Sequence, residues 1–340
     1  MVRFGIAGFG LHATRRLMPG FAQAENCRVT ALSRRNLQQA RQSAAQYNIP
    51  LAFDSTEKLC QSPEVDAVFV TTPNASHLPD TLAAIRSGKP VLCEKPMGMN
   101  AAECRQMVEA ARQSKVLLGV AQIFRFENST AALRDWIAEG RIGKPVFARS
   151  EFSLQVGPQH PRAWIRDPAI AGGGPLADVG VHCIDTLRFI LRDEVVRVSA
   201  QGRFDRDTGN VENAATLLLE FAQGTLGLVL VSFQTEYRTP LEVVGTEATL
   251  RGDDALNVDK PIALELRRGG AAVEVSTVSN ASAYARQVKA FAAAVEGKAA
   301  FPVPGDQGWQ NQLILDAAYR SIRTGHAEDV PRIRTWGGPG

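Results

Sequence analysis

Residues 2–13 read VRFGIAGFGLHA, and the fold turns on them. Val2 to Ala7 is a short apolar run with the character of a buried strand, and Gly8, Gly10 and Ala13 occupy the positions of a G-x-G-x-x-G/A turn. In that pattern the first glycine permits the tight turn and the second lets backbone approach a pyrophosphate. The helix that follows offers free N–H groups and a partial positive charge. Gly8, Gly10 and Leu11 are therefore candidate phosphate-cradling residues. A glycine-rich turn also arises for packing alone, so the context outside the motif has to decide.

That context is alternation. Up to about residue 122, strand-like runs (RFGIAG, RVTALS, VDAVFVTT, PVLCEK, VLLGVA) alternate with segments of helical spacing such as SHLPDTLAAIRSG and NAAECRQMVEAARQS. Alternation of this kind predicts parallel strands joined by right-handed crossovers, a doubly wound α/β sheet. Beyond the helical stretch that closes at Gly140 the rhythm changes. PVFARSEFSL, VVRVSAQGRF, AATLLLEFAQGTLGLVLVSFQ, LEVVGTEATLRG and IALELRRGGAAVEVSTV read as strands, with hairpin turns at Gln223-Gly224 and Gly269-Gly270. A mostly antiparallel sheet is expected, followed by two closing helices that end at Gly297 and Gly325. The expected domains are residues 1–122 for dinucleotide binding and 123–340 for substrate binding and oligomerisation.

Composition narrows the function. With 45% hydrophobic and 21% charged residues and a net charge of only +3, the 340-residue chain has no need of nucleic acid or an anionic membrane as partner. The five cysteines are scattered without metal-ligand spacing, which predicts buried reduced thiols and no metal site. No apolar run approaches a membrane span, and the N-terminal residues lack the features of a signal peptide. The expectation is a cytoplasmic protein.

Three stretches carry chemistry. The second strand ends in Ser33-Arg34-Arg35, where an NAD-preferring site usually places an acid for the ribose 2′-hydroxyl. A hydroxyl and guanidinium groups would clamp a 2′-phosphate instead, which favours NADP(H) with NAD(H) as the alternative. GKPVLCEKP puts Glu94 and Lys95 at the carboxyl end of a strand, the edge where open α/β sheets bind ligands, and TTPNASH brings Thr72, Pro73, Asn74 and His77 to the same edge. In AGGGPLADVGVHCIDTLRFIL, Gly172 to Gly174 read as a flexible approach. Asp178, His182 and Asp185 then share one helix face, with Leu176, Val179, Ile184, Leu187 and Ile190 turned to the core. Taken alone, the acid–histidine pair also fits an ordinary exposed helix.

With these motifs in order, the chain resembles the Gfo/Idh/MocA oxidoreductases. GIAGFG, VFVTTPNASH, VLCEKP, EGRIGKP, AWIRDP and GGGPLADVGVHCIDTLRF together span nearly its whole length. The resemblance implies a Rossmann domain followed by an α/β domain whose open, mostly antiparallel sheet commonly forms an oligomer interface, here a dimer or tetramer. It implies that Lys95 handles the substrate proton and that Asp178 and His182 hold the substrate and assist. Asn74, His77, Glu94, Arg125, Trp164 and Arg166 would line the cofactor. The implied reaction is hydride transfer to or from a sugar or sugar-derived ketone or alcohol, with 1,5-anhydro-D-fructose among the candidate substrates. An NAD-dependent inositol or polyol dehydrogenase is the enzymatic alternative, and a non-catalytic NADP(H) sensor the alternative of another class.

Overall fold

The computed structural model describes residues 1–157, 159–205 and 211–333. The chain forms two compact units, one of Met1–Ile123 with Ser282–Trp309, the other of Phe124–Ala281 with the residues from Gln310 onward.

The first unit carries strands β1 (Val2–Ala7), β2 (Cys27–Ser33), β3 (Leu51–Phe53), β4 (Ala67–Val70), β5 (Val91–Cys93) and β6 (Leu118–Val120), all parallel, in the order β3-β2-β1-β4-β5-β6. The strand order reverses between β1 and β4, which makes the carboxyl ends of those two strands the ligand crevice of an open α/β sheet. Crossovers are supplied by α1 (Met18–Ala22), α2 (Leu37–Tyr47), α3 (Thr56–Gln61), α4 (His77–Arg86) and α5 (Ala101–Ser114). Asn36, Ser55 and Asn100 cap α2, α3 and α5, each accepting the N–H three residues on, so the turns into these helices satisfy donors that would otherwise be orphaned. Strand β3 is not among the strand-like runs of the sequence: three residues are too few to show alternation.

The second unit begins with α6 (Asn128–Ala138), β7 (Pro145–Gln155), α7 (Pro168–Ala171) and α8 (Val181–Leu191). Strands β8 (Val195–Arg203), β9 (Ala214–Phe221), β10 (Leu226–Ser232), β11 (Gln234–Arg238), β12 (Leu241–Gly245), β13 (Thr249–Gly252), β14 (Pro261–Arg268) and β15 (Ala271–Ser279) follow. With β16 (Glu328–Asp329) they form one sheet in the order β15-β14-β13-β12-β7-β10-β9-β8-β16, and β11 also pairs with β7. Strands β7 and β10 run parallel, and every other described pairing is antiparallel. Both glycine turns sit where the sequence puts them, with positive φ at Gly224, Gly269 and Gly270.

Helix α8 packs on β7 and β10. Alternate residues such as Ala148, Leu217, Leu219, Val229 and Val231 are buried, while Phe147, Leu218 and Leu226 point the other way and stay 54%, 59% and 49% exposed. The sheet therefore keeps one face with large apolar side chains in solvent.

The closing helices are α9 (Ala283–Val295) and α10 (Gly305–Thr324). Contrary to the expected boundary, α9 and the loop after it pack with the first unit. Val120 N–H donates to Val303 at 2.9 Å, and Phe291 stacks edge-on against Phe301 at 5.1 Å and tilts against Phe4 at 6.1 Å. The physical reason is the exposed edge of β6, which this returning segment covers. Among the described residues no helix is long and apolar enough to cross a membrane.

Candidate active site

The candidate site starts at the turn after β1. Gly8 has φ +81°, and a Cβ placed on it would meet Thr72 backbone at 2.8 Å, so both its conformation and its neighbour require glycine. The N–H groups of Gly8 and Phe9 donate to Ser33 at 3.2 and 2.9 Å, and Thr71 Oγ1 donates to the carbonyls of Ala7 and Gly8 at 3.0 Å, which pins the turn to the ends of β2 and β4. Gly10 is different. Among the described residues a Cβ there would find nothing beyond its chain neighbours closer than the Gly8 carbonyl at 3.7 Å, so packing does not demand glycine. The open surface over Gly10 and the exposed Leu11 is what a bound pyrophosphate needs, and these residues fit an NAD(P) cofactor.

At the end of β2, Ser33 is buried and Arg34 donates from its N–H to Phe53 at 3.1 Å and from Nη1 to Ser43 Oγ at 2.9 Å. No acid lies between residues 33 and 53, and the first one beyond, Asp54, is bound by Lys58 at 2.8 Å. At the end of β4, Thr72 Oγ1 donates to Asp80 at 2.7 Å, Pro73 follows, and Asn74 is buried at the start of the next turn.

His77 lies beneath this edge rather than on it. Its ring is 1% exposed, with Nδ1 2.8 Å from the Pro96 carbonyl and Nε2 2.8 Å from the Thr72 carbonyl. Burial holds its pKa below the ordinary value. It acts as a strut between the loops after β4 and β5.

Lys95 follows β5 and is half-buried; its backbone N–H donates to Glu94 Oε2 at 3.2 Å. The other oxygen of Glu94 accepts from His12 Nε2 at 2.8 Å. Burial alone would raise the Glu94 carboxyl, but His12 and then Lys95 outweigh it and hold the group below the usual carboxylate range. The sequence alone does not mark His12. Its signal was its place two residues after Gly10, where the turn and the β5 edge come together.

In the second unit, Asp178 lies on a π-helical turn (Leu176–Gly180) that continues into α8, the kind of irregularity that concentrates at functional sites. Arg162 donates to both Asp178 oxygens, at 3.3 and 3.1 Å. His182 packs edge-on against Phe124 with centroids 4.6 Å apart and stacks on Phe152 at 6.1 Å. Asp185, expected on the same face, is instead a buried anchor: Arg125 binds it through Nε and Nη2 at 2.8 and 2.7 Å, and Asn311 adds a third donor at 2.8 Å. The Arg125 guanidinium is thus spent on α8. Trp164 packs against Val156, Ile165 and Phe233, and Arg166 donates to the Val156 carbonyl.

The Gly172–Gly174 stretch is not the flexible approach expected from sequence. Gly172 ends α7 in the left-handed conformation, a Cβ on Gly173 would lie 1.8 Å from Tyr319 Oη, and one on Gly174 would lie 2.0 Å from the Glu212 carbonyl. Glu212, 1% exposed, accepts from the N–H groups of Gly174 and Leu176 at 3.0 Å and from Tyr319 Oη at 3.0 Å. These glycines serve close packing at the start of the Asp178 turn. Nothing local marks Glu212 or Tyr319, which lie 38 and 145 residues beyond Gly174 in the chain.

All five cysteines are buried free thiols, and burial pushes Cys27, Cys60 and Cys183 up to about 12. Among the described residues no cluster could hold a metal ion.

A doubly wound sheet with a glycine turn open to a pyrophosphate, joined to a second α/β unit, defines an NAD(P)-binding oxidoreductase. Residues 2–122 match the model of the oxidoreductase family with an NAD-binding Rossmann fold, and residues 130–251 match the GFO/IDH/MocA C-terminal domain. The chain belongs to the Gfo/Idh/MocA family of oxidoreductases. It is 33% identical to 1,5-anhydro-D-fructose reductase of Ensifer adhaerens over 97% of this chain and 99% of that one. It is 36% identical to trans-1,2-dihydrobenzene-1,2-diol dehydrogenase of Mus musculus, over 72% and 73% of the two chains. Among solved structures it resembles the aldose-aldose oxidoreductase from Caulobacter crescentus complexed with glycerol, with a TM-score of 0.88, 27% identity, and coverage of 96% and 99%.

Proposed function

We propose that this protein is an NADP(H)-dependent oxidoreductase that transfers hydride between the nicotinamide and an oxygen-bearing carbon of a sugar or sugar-derived ketone or alcohol, in the cytoplasm. The observation that carries the reading is the placement of Lys95 at the carboxyl end of β5, two strands from the reversal in strand order, with its backbone tied to the Glu94–His12 pair. The relatives named as acting on an anhydroketose and on aldoses support a carbohydrate substrate, with 1,5-anhydro-D-fructose the first to test.

The bound cofactor supplies the hydride. Gly8, Gly10 and Leu11 hold the pyrophosphate, Ser33 and Arg34 hold the 2′-phosphate, and Thr72, Pro73, Asn74 and Glu94 lie along the nicotinamide half. His77 supports that half from below. In the reducing direction Lys95 Nζ gives a proton to the alkoxide as it forms, so negative charge never accumulates on the substrate oxygen. His182 is the second proton carrier, with its ring fixed by Phe124 and Phe152. Asp178, oriented by Arg162, binds substrate hydroxyl, and Arg125 acts on the site by fixing α8 through Asp185. Trp164 and Arg166 complete the cofactor's surroundings.

The substrate domain also forms a homodimer or tetramer through the apolar open face of its sheet. The absence of an acid between residues 33 and 53 supports NADP(H) over NAD(H), and the presence of Lys95 and His182 supports an enzyme over a sensor. The test is stopped-flow decay of NADPH and NADH absorbance with 1,5-anhydro-D-fructose and a panel of keto-sugars and polyols. Consumption of NADPH with a carbohydrate in the panel is expected. Binding of NADPH without consumption across the whole panel overturns the proposal in favour of the sensor.

A further inference from the structure

The second unit holds a cleft of about 210 Å³ where α6 and α8 end and the turn between β9 and β10 comes up beside the start of β7. Ile137 and Ile190 form an apolar wall, and Arg134, Lys144 and Arg192 bring three cations to the lining. The cleft lies at the far end of α8 from His182: Arg192 follows that residue by ten positions, about 15 Å at 1.5 Å per residue. It is a separate feature of the fold.

Three cations around one small cleft repel one another unless something negative lies among them. Asp193 is the one acid among the described lining residues, and both of its oxygens are engaged: Oδ1 accepts from Glu194 N–H and Oδ2 from Gln223 N–H, each at 2.8 Å. The bond to Gln223 ties the end of α8 to the β9–β10 turn and so helps to build the cleft. The next acid, Glu194, is held by Arg188 through Nε and Nη2 at 2.7 and 2.8 Å. Arg134 is fixed in advance, since its Nε donates to Asp135 at 2.8 Å and its guanidinium lies 4.9 Å from the centroid of the Phe189 ring. Lys144 and Arg192 are exposed, and among the described residues neither makes an ion pair.

Cations also gather at helix C-termini for the macrodipole alone, and Arg192, next after α8, fits that account. Lys144 does not, because it belongs to the loop that leads into β7. We infer that the cleft is a binding site for a phosphate monoester with a short carbon skeleton. Arg192, Lys144 and the remaining N–H groups of Arg134 hold the phosphate, the guanidinium forks matching its oxygens and the ammonium acting as a point charge. Ile137 and Ile190 cover the carbons. The size agrees: at about 30 Å³ for each water, the cleft has the room of about seven waters. Such a site stands independently of the hydride chemistry proposed above.

The test is calorimetric titration of the NADPH-saturated protein with glycerol 3-phosphate, with inorganic phosphate, and with sodium chloride at matched ionic strength. NADPH fills the dinucleotide site, which would otherwise take phosphate itself. Glycerol 3-phosphate should bind at one site per chain, inorganic phosphate more weakly because it leaves the apolar wall uncovered, and chloride not at all. Lys144→Gln and Arg192→Gly should each weaken glycerol 3-phosphate about tenfold to a hundredfold, the loss of one charge-assisted contact, with no change in the dissociation constant for NADPH. Glycine suits the backbone at 192, where φ is +49°, so that variant removes the charge without disturbing the end of α8.

A response to glycerol 3-phosphate no different from that to chloride overturns the inference. So does binding undiminished in both variants, which would put the phosphate elsewhere on the protein. Inorganic phosphate binding as tightly as the ester overturns it too, because the apolar wall would then hold no carbon.

Discussion

His12 Nε2 lies 2.8 Å from Glu94 Oε1, linking the turn after β1 to the strand end that carries Lys95. The folded-state pKa of Glu94 is depressed, so the group contributes stability at pH values above the ordinary carboxylate pKa, about 4.3, and that contribution is lost as pH falls through the depressed folded value. In His12→Phe, burial remains without its main offset and the folded pKa moves above the ordinary one. The sign then reverses: the carboxyl loses stability as pH rises. Thermal midpoints of both proteins across the carboxylate range will show the difference curve falling toward neutral pH. A pH-independent difference would mean the two groups are not coupled.

Lys95→Met should lower turnover by a factor of about 10²–10⁴, the range for a lost general acid, while NADPH affinity stays close to wild type. Single-turnover decay of NADPH absorbance and a fluorescence titration measure the two separately. Wild-type turnover in the variant would exclude Lys95 as the proton donor.

Arg34→Ala should weaken NADPH about tenfold to a hundredfold, the loss of a charge-assisted pair, and leave NADH unchanged. Calorimetric titration with each cofactor checks it. Because Arg34 Nη1 also bonds Ser43 Oγ, Ser43→Ala is the companion variant, expected to weaken NADPH by a smaller factor through a less ordered guanidinium. Equal wild-type affinities for the two cofactors would refute the assignment.

Gly173→Ala places a Cβ where Tyr319 Oη stands, and overpacking of this kind costs about 1–3 kcal/mol. Tyr319→Phe in the same chain removes the colliding oxygen and should recover part of the loss despite giving up the bond to Glu212. Urea denaturation of the two single variants and the double variant tests the coupling. Strictly additive effects would show that the glycine answers to something else.

Leu218→Glu and Leu226→Glu put charges on the open sheet face, where the native side chains are 59% and 49% exposed. Sedimentation at micromolar concentration should find an oligomer for wild type and the 36.7 kDa monomer for the paired variant. A monomeric wild type removes this face as an interface.

Local chemistry was enough to read the Rossmann half. A six-residue apolar strand, a glycine turn and alternating helical spacing are short-range signals, and parallel strands joined in sequence leave few topologies open. The glycine turn, the acid-free end of β2, Lys95 and the Asp178–His182 spacing were legible for the same reason: each lies within one turn or strand end. What needed the tertiary structure depends on groups far apart in the chain. Strand β6 is covered by residues near 303, Asp185 is claimed by Arg125 and Asn311 rather than left to the site, and Gly173 and Gly174 are held by Tyr319 and Glu212 rather than left flexible. His12 gains meaning only when strands order their loops along one edge. Periodicity records which face of an element is buried; it carries no record of which distant side chain buries it.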